Sequence, residues 1–439
     1  MPFDLVVRGG TVVLPQADGV AADIAISEGK IAAILAPGTE VEPSLAVAPG
    51  DPAFLVAAWQ QDRHPKGAAG AIGYAVSRDA GKTWHEGLLA GLTACTQGPF
   101  SLVSDPTAGI GADGTAYIAA LFVRPGAGGP GGFAVSVSHD RGQSWRAPVP
   151  VLDLRDPLQV VDKPFLVADP KRPGTAYAAW VQYRLDRPDA PPRRNTFYFA
   201  RTTDGGATWS NPLAVYGADS ENQFHQLLVL PDGALLDVFV EGFELPGDRA
   251  AAAPNVTVRL RSVRSVDQGA TWSAPIEAAS FAFTAAALPG DGHPVRATGA
   301  HITAAVSSDG AAYAIFQEHY PKSSSSLNLV RSRDGGRSWE TPERVVSVEG
   351  DLMLPQLAAG GRGQIGLLWY AVQASTSVWL ATAPAFAPRQ VLGPFDLRGA
   401  VDSGGYFLGD YAGFIGLPDG GFAAALPLLP GIEFLNLPR

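Results

Sequence analysis

The sequence is poor in several residue types, and each shortage removes a class of protein. Cys95 is the only cysteine among 439 residues, so an intrachain disulfide and a cysteine-based metal cluster are both excluded. Acidic residues outnumber basic ones by 42 to 32, which gives a net charge of -10 and disfavours a nucleic-acid partner, since phosphate binding needs a basic surface. Charged residues make up only 17% and apolar residues 46%, so a large core is available.

Long apolar runs and long amphipathic helical patterns are missing as well. No uninterrupted apolar stretch is long enough to span a membrane, and the opening MPFDLVVRGG lacks the basic segment and apolar core of a signal peptide. We therefore expect no membrane insertion and no cleaved leader, and the sequence does not indicate a compartment. Glycine (51) and proline (37) are abundant, which favours many short strands joined by tight turns.

One octet occurs five times, with the pattern S/T-x-D-x-G-x-S/T-W. Successive aspartates are 61, 64, 63 and 67 residues apart, a regularity that indicates repeated structural units. The octet aspartates are Asp79, Asp140, Asp204, Asp267 and Asp334. In each octet the carboxylate can accept backbone N–H groups, the glycine permits a positive φ, and the tryptophan can pack over the sheet. We interpret all five aspartates as structural turn residues.

A second repeat, a strand–turn–strand hairpin, lies between the octets. Seven copies begin at Ser44, Gly109, Phe165, Leu227, Ile302, Gln356 and Ala412. The first five are followed by another strand, an octet and a closing strand, which makes four-stranded units. Such units, repeated at this period, predict an all-β chain folded as a β-propeller with seven blades, six being the alternative. Because the last repeat is one strand short, we expect an N-terminal strand to complete it and close the ring.

The octets, Asp boxes in four-stranded repeats, resemble the sialidase-like superfamily, also described as BNR-repeat proteins. The resemblance covers residues 42–439, and it is closest to bacterial exo-α-sialidase-like proteins through EPSLAV, VAAWQQDR and GYFLGDY. It implies that the octets lie on the face opposite the functional site. Sialidases usually have six blades, so a count of seven departs from the family. We therefore divide the chain into an N-terminal β-hairpin segment, 1–41, and a propeller, 42–439.

Residues 1–36 resemble the opening of dihydropyrimidinase-like amidohydrolases. That family binds metal through an H-x-H motif, and no H-x-H occurs in this sequence. The seven histidines are scattered, so the amidohydrolase interpretation is rejected and no metal or other cofactor is expected. The simpler interpretation is a β-hairpin that extends or latches the propeller.

In a propeller the starts of first strands and the ends of second strands share the face opposite the octets. Charged and aromatic residues at the second-strand ends are Asp62-Arg63, Arg124, Tyr183-Arg184, Glu241, Glu318-His319-Tyr320 and Tyr370. Those at the starts of the repeats are Glu42, Asp105, Asp162-Lys163, Glu221, His225, Arg296 and Asp410-Tyr411. The candidate site residues come from these two sets.

A sialidase site clamps the substrate carboxylate with arginines, because a guanidinium matches a carboxylate bidentately. It also uses a tyrosine nucleophile with a glutamate neighbour, and an aspartate as acid/base. The resemblance places Arg63 at a clamp position and Tyr411 at the nucleophile position. Arg184 and Arg296 are the candidates for the rest of the clamp, and no motif fixes them there. Asp62 and Glu318 complete the catalytic candidates. The first family arginine is missing, since Val41-Glu42-Pro43 stands where F/Y-R-I-P is expected.

Each candidate also has a structural interpretation. Arg63 would hold a loop by pairing with Asp62 or Asp105, and Tyr411 would be a packed ring at the central channel. Glu318 would be a solvated loop residue.

The leading functional hypothesis is a sialidase-like glycoside hydrolase acting on an acidic glycan, as a monomer. Two alternatives remain: a non-catalytic propeller that binds a glycan or a protein, and a polysaccharide lyase using His319 and Tyr320. Product analysis separates the three, because they release a sugar acid, nothing, or an unsaturated uronate.

Overall fold

The computed structural model describes residues 5–12, 20–27, 30–35, 39–64, 67–127, 129–187, 195–217, 221–242, 256–283, 292–296, 301–320, 324–429 and 431–438. Within these ranges the chain forms 32 strands and three single-turn 3₁₀ helices, Ala94–Thr96, Gly361–Gly363 and Leu397–Gly399. The all-β class is confirmed.

The first three strands form an antiparallel sheet of their own. They are β1 (Leu5–Val12), β2 (Val20–Ser27) and β3 (Lys30–Leu35), in the order β1-β2-β3. The sequence predicted a hairpin here, and the structure has one strand more. The division between residues 41 and 42 remains a prediction.

Six four-stranded antiparallel units follow. The first two are β4 (Val41–Ala48), β5 (Asp51–Arg63), β6 (Ala69–Ser77), β7 (His85–Leu88) and β8 (Leu102–Ile110), β9 (Ala116–Val123), β10 (Pro130–Ser138), β11 (Val149–Asp153). The next two are β12 (Gln159–Ala168), β13 (Ala176–Arg184), β14 (Asn195–Thr202), β15 (Leu213–Gly217) and β16 (Asn222–Val229), β17 (Leu235–Glu241), β18 (Val256–Ser265), β19 (Ile276–Phe283). The last two are β20 (Ile302–Val306), β21 (Ala312–Tyr320), β22 (Ser324–Ser332), β23 (Glu343–Glu349) and β24 (Asp351–Ala359), β25 (Ile365–Val372), β26 (Thr376–Thr382), β27 (Arg389–Phe395).

The chain ends in a short hairpin and a three-stranded sheet. The hairpin is β28 (Val401–Asp402) and β29 (Tyr406–Phe407), and the sheet is β30 (Gly413–Gly416), β31 (Phe422–Leu428) and β32 (Gly431–Leu437). The order of this sheet is β30-β31-β32, with no strand from residues 1–41 in the described part of the chain. The predicted completion by an N-terminal strand is therefore wrong. Instead β30 and β31 pack directly against β4 and close the ring.

The first strands of the units follow one another around an axis, which gives a β-propeller. Contacts run from β4 to β8, β12, β16, β20, β24 and β30, and from β30 back to β4. The structure has five blades, counted as separate sheets of four or more strands, so the predicted seven and the alternative six are both wrong. The reason is that β6 pairs with β8 at Ala69 and Val103, which joins the first two units into one eight-stranded sheet, while the last sheet has only three strands.

The core lies between neighbouring units rather than within one of them. Tyr117 and Phe133 of the second unit pack in one cluster with Leu166 and Trp180 of the third, and all four side chains are buried. A single sheet cannot bury both of its faces alone, so each unit is stabilised by its neighbours.

A β-bulge occurs near the start of β4, β8, β12, β16 and β24, and each bulge contains a non-glycine residue with positive φ. These residues are Glu42 (φ 55), Asp105 (φ 48), Lys163 (φ 49), Phe224 (φ 56) and Leu354 (φ 49). Bulges redirect side chains and are enriched next to functional sites. This repeated bulge positions the site described below.

The five octets adopt one common turn between the third and fourth strands. In the Ser77–Trp84 copy, Asp79 accepts the Thr83 backbone N–H (2.9 Å) and hydroxyl (2.6 Å), and the Ser77 hydroxyl also donates to Asp79 (2.8 Å). The N–H of Gly81 donates to the Ser77 hydroxyl (2.8 Å). The same bonds hold Asp140, Asp204, Asp267 and Asp334.

Candidate functional site

The starts of the first strands converge at one end of the propeller. Because strands in each unit are antiparallel, this end also carries the ends of the second strands, and the octets lie at the other end. The bulges therefore bring side chains from separate repeats together near the axis. We call Glu42, Asp105, Lys163 and Asp410 the central cluster.

An ion-pair network holds the central cluster together. Lys163 Nζ donates to Asp105 Oδ2 (3.2 Å) and to Asp410 Oδ2 (2.5 Å). Asp105 also accepts the hydroxyl of Ser104 at 2.5 Å. The side chains are mostly buried, with exposed fractions of 16% for Lys163 and 13% for Asp410. One lysine thus neutralises two carboxylates at a partly dry site.

Glu42 lies beneath this network and is only 1% exposed. Its Oε1 accepts the backbone N–H of Asp410 (3.1 Å), and its Oε2 accepts the side-chain amide of Gln60. Gly409 makes this approach possible: its φ is +121°, and a Cβ there would lie 2.7 Å from the Glu42 backbone nitrogen. Burial, together with the nearby Asp105 carboxylate, raises the pKa of Glu42 to about 8. Glu42 is therefore protonated at neutral pH.

Asp410 has the opposite protonation preference. Burial alone would raise its pKa, but the positive charges of Lys163 and Arg296 outweigh burial and hold the pKa below its ordinary value. Although burial disfavours the charged form of Lys163, its acidic neighbours raise its pKa well above normal. Burial also raises the pKa of the adjacent Asp162 to about 6. The cluster thus combines an ionised carboxylate, Asp410, with a protonated carboxyl group, Glu42.

Two arginines meet beside the cluster at Ser403, in the β28–β29 hairpin. Arg63 Nη2 donates to Ser403 Oγ (3.4 Å), and Arg296 Nη1 donates to the same oxygen (2.9 Å) and to the Ser403 carbonyl (3.1 Å). Both guanidinium groups lie over the Phe407 ring, at 4.7 and 4.4 Å from its centroid. In the described part of the chain neither arginine forms an ion pair with a carboxylate. The two positive charges are therefore available to an anion.

Arg63 is the buried member of this pair. Its Nη1 donates to the side-chain carbonyl of Gln60 (2.8 Å), while Nε is enclosed without a hydrogen-bond partner among the described residues. Gln60 in turn donates to Ser104 (3.1 Å) as well as to Glu42. This amide connects the arginine pair to the central cluster, so the two groups form one site.

Tyr411 lies next to the cluster, but its hydroxyl is engaged. It donates to the carbonyl of Pro106 (3.0 Å). Burial and the neighbouring Glu42 carboxyl raise its pKa well above the ordinary value for tyrosine. A tyrosine in these surroundings stays protonated and is a weak nucleophile.

The remaining candidates lie farther apart. Arg184 is 66% exposed and pairs with Asp156 (3.0 Å), away from the arginine pair. Glu318 is half-buried and accepts the amide of Asn328 (3.0 Å). Asp62 is half-buried at the end of β5 with φ +58°, next to Arg63. The side chains of His319 and Tyr320, named for the lyase alternative, lie outside the described residues.

The structure thus brings Arg63, Arg296 and Tyr411 to one region and adds residues that were not chosen as catalytic or binding candidates. These are Glu42, Asp105, Lys163, Asp410, Gln60, Ser403 and Phe407. A pattern could have identified three of them, since Glu42-Pro43, Asp105-Pro106 and Lys163-Pro164 each place a charged residue before proline at a repeat start. Ser403 and Phe407 lie outside the repeat, and nothing in the sequence singled them out.

No group of three or more His, Cys, Asp or Glu side chains in the described ranges is arranged to hold a metal ion. Within the same ranges no helix has the length and apolar character needed to cross a membrane. Cys95 is a free, exposed thiol.

Comparisons with known proteins give structural likeness only. No protein-family model and no curated protein matches the chain. A solved structure described as Hadza microbial sialidase Hz136 matches with a TM-score of 0.53 and 15% identity, over 87% of this chain and 76% of that one. At this identity the match establishes a shared β-propeller fold and no activity.

Two further structures are more distant. One is the Penicillium chrysogenum alpha-L-arabinanase complexed with arabinobiose (TM-score 0.47, 14% identity, 78% of this chain and 92% of that one). The other is a PL25 ulvan lyase (TM-score 0.48, 13% identity, 76% and 79%). Both TM-scores lie below 0.5 and add no argument. The comparisons give no support to the amidohydrolase resemblance of residues 1–36.

Proposed function

We propose that this chain is a glycan-active β-propeller that hydrolyses a glycosidic bond of an acidic glycan at the central cluster. The observation that carries the proposal is that carboxyl groups of opposite protonation lie beside two arginines that form no ion pair with a carboxylate among the described residues. An exo-acting sialidase-like hydrolase is the most specific form of this proposal.

The arginine pair supports an acidic substrate. Arg63 and Arg296 reach one oxygen, Ser403 Oγ, from different parts of the chain. A carboxylate that displaces Ser403 would receive charge-assisted hydrogen bonds from both guanidinium groups. Phe407 lies against both guanidinium groups, and Gln60 also holds Arg63. The two arginines therefore need little reorganisation when an anion binds.

The carboxyl pair supports hydrolysis. Glycosidases need one carboxyl group that is protonated and one that is ionised, and divergent pKa values identify such a pair. Glu42 holds its proton to about pH 8, whereas Asp410 is ionised and reaches the surface. We assign Asp410 as the carboxylate that faces the anomeric carbon. As the glycosidic bond breaks, Glu42 is the source of the proton that reaches the leaving-group oxygen, and water supplies the hydroxyl group of the released sugar.

Tyr411 is the alternative nucleophile implied by the sialidase resemblance. Its bond to Pro106 and its raised pKa favour Asp410 instead. The two assignments differ in one variant: Tyr411→Phe abolishes turnover if the tyrosine attacks the sugar, and leaves most of the turnover if Asp410 does.

The test is release of a fluorophore from an α-sialoside and from a β-glucuronide. We expect wild-type turnover on one of them, a loss of at least about 100-fold in Asp410→Asn, and a higher KM in Arg63→Ala. Thermal melts of each variant separate loss of activity from loss of fold. Absence of turnover on both substrates would contradict the hydrolase, and absorbance of an unsaturated uronate would identify a lyase.

A non-catalytic binding propeller is the second candidate. One observation favours it. Lys163 donates hydrogen bonds to Asp410 and Asp105, and Tyr411 donates one to the Pro106 carbonyl, so these polar groups are hydrogen-bonded to one another without a substrate. Binding of an acidic sugar without any product would identify this function.

A further inference from the structure

Phe224 occupies the same bulge position in β16 that Glu42, Asp105 and Lys163 occupy in their strands. The register of β16 shifts between Gln223 and Gln226, and Phe224 has φ +56°. Three of the five equivalent positions supply the central cluster. The repeat therefore directs the Phe224 side chain toward the same end of the propeller.

A bulky aromatic residue is a poor choice for this backbone conformation. Positive φ favours glycine and, among other residues, asparagine and aspartate, and a phenylalanine there is strained. Strained positions of this kind persist where the surrounding structure fixes them, and they concentrate at binding and catalytic sites.

The surroundings of Phe224 connect it to the cluster. The side chain is half-buried and packs against the core between the fourth and fifth units. Its ring makes an edge-to-face contact with His301, with centroids 4.5 Å apart. His301 is close enough to Asp410 for its charge to act on that carboxylate.

Leu354, at the equivalent bulge of β24, is the informative contrast. It is fully buried in an apolar cluster, so its role there is packing. Phe224 has the same backbone conformation but is half-buried rather than fully buried. Phe224 therefore differs from Leu354 in leaving part of its side chain accessible to a ligand.

We propose that Phe224 is a sugar-stacking residue, whose ring packs against the apolar C–H face of the sugar that binds at Arg63 and Arg296. This inference rests on the proposed function and adds to it a binding residue and a requirement for a sugar ring. An acid without a ring would use the arginines alone.

The test measures binding of N-acetylneuraminate, glucuronate and acetate to the full chain by ligand-observed NMR titration. Phe224→Ala is expected to weaken binding of the sugar acids about 3- to 10-fold and to leave acetate binding unchanged. Phe224→Tyr retains the ring and should bind like wild type. Val266→Ala, at an apolar residue 72% exposed in an octet, is the matched surface control.

The outcomes separate this inference from the function on which it rests. Unchanged sugar binding by Phe224→Ala would overturn the stacking role and leave the proposed function standing. Equal weakening of acetate and sugar would also overturn it, since Phe224 would then act by supporting the arginines. Wild-type protein that binds neither sugar acid would overturn the proposed function and this inference with it.

Discussion

Carboxyl groups lie at both ends of the propeller, but their surroundings differ. At the octet end each aspartate is bound by its own octet, and the Thr208 hydroxyl and N–H lower the pKa of Asp204 to about 2. At the other end Glu42 and Asp410 are bound by groups from distant parts of the chain, with Lys163 and Asp410 separated by 247 positions in the sequence. Their pKa values are pushed apart rather than lowered together.

The difference shows how one fold uses carboxylates for two purposes. An octet aspartate stabilises a turn through short-range hydrogen bonds and stays in contact with solvent. A central carboxyl exists in its shifted state only after the ring has closed around it. Substitutions at the two ends should therefore have different consequences for stability, pH dependence and binding.

The largest effect is expected for Lys163→Met. Removing the lysine leaves Asp105 and Asp410 close together in a partly buried site without their cation, which should destabilise the protein by about 3–5 kcal/mol. Urea unfolding measures the change. Lys171→Met is the control, because the Lys171 ammonium group donates to the Pro231 carbonyl at the surface. If the free energy of unfolding falls by less than about 1 kcal/mol in both variants, the network does not stabilise the fold.

An intermediate effect is expected for Asp204→Ala at the octet end. Losing the turn acceptor should cost about 1–3 kcal/mol without changing glycan binding. Because the folded pKa of Asp204 is about 2, its contribution to stability is present above the ordinary value of 3.8 and is lost as pH falls toward 2. A melt series from pH 5 to pH 2 checks this, and loss of binding at an unchanged melting temperature would contradict the structural role.

Glu42 should give the opposite pH dependence. Its folded pKa is raised from 4.5 to about 8, so its contribution is fully present below pH 4.5 and is lost as pH rises through 8. Wild-type stability should fall across this window, by at most about 1.4 kcal/mol per pH unit from this group. In Glu42→Gln the fall should be smaller. Parallel curves for the two proteins would show that Glu42 is not protonated in the fold.

The smallest effect is expected for Arg184→Ala. Its exposed pair with Asp156 should contribute about 0–1 kcal/mol, and acidic-sugar binding should not change. Arg296→Ala, compared in the same titration, should weaken binding. Equal weakening by both variants would show that the site extends to the third unit.

The sequence predicted the short-range features and missed the long-range ones. The octet turn follows from eight consecutive residues, and the strand hairpins follow from alternating apolar patterns with D-G and P-x-G turns. Blade number did not follow, because the Ala69–Val103 pairing that joins two units depends on how the ring closes. Strand pairing across such distances has no local pattern.

The residues of the candidate site also fall into those that local sequence indicated and those that depend on long-range contacts. Arg63 and Tyr411 were named as candidates because they match positions implied by the sialidase resemblance at a strand end and a repeat start, and their roles remain predictions. The protonation preferences of Glu42 and Asp410 could not be predicted, because they depend on burial and on ion pairs of Lys163 with residues far away in the sequence. The Ser403 contact that joins Arg63 to Arg296 comes from a hairpin outside the repeats.

The central claim is that an acidic sugar binds against Arg63 and Arg296, at the end of the propeller where the first strands of the units begin. A crystal structure of the protein with N-acetylneuraminate or glucuronate tests it most directly. The account predicts the sugar carboxylate within hydrogen-bond distance of both guanidinium groups, in place of Ser403 Oγ, and the ring beside Asp410. A sugar bound at the octet end, or one whose carboxylate contacts neither arginine, would contradict the account.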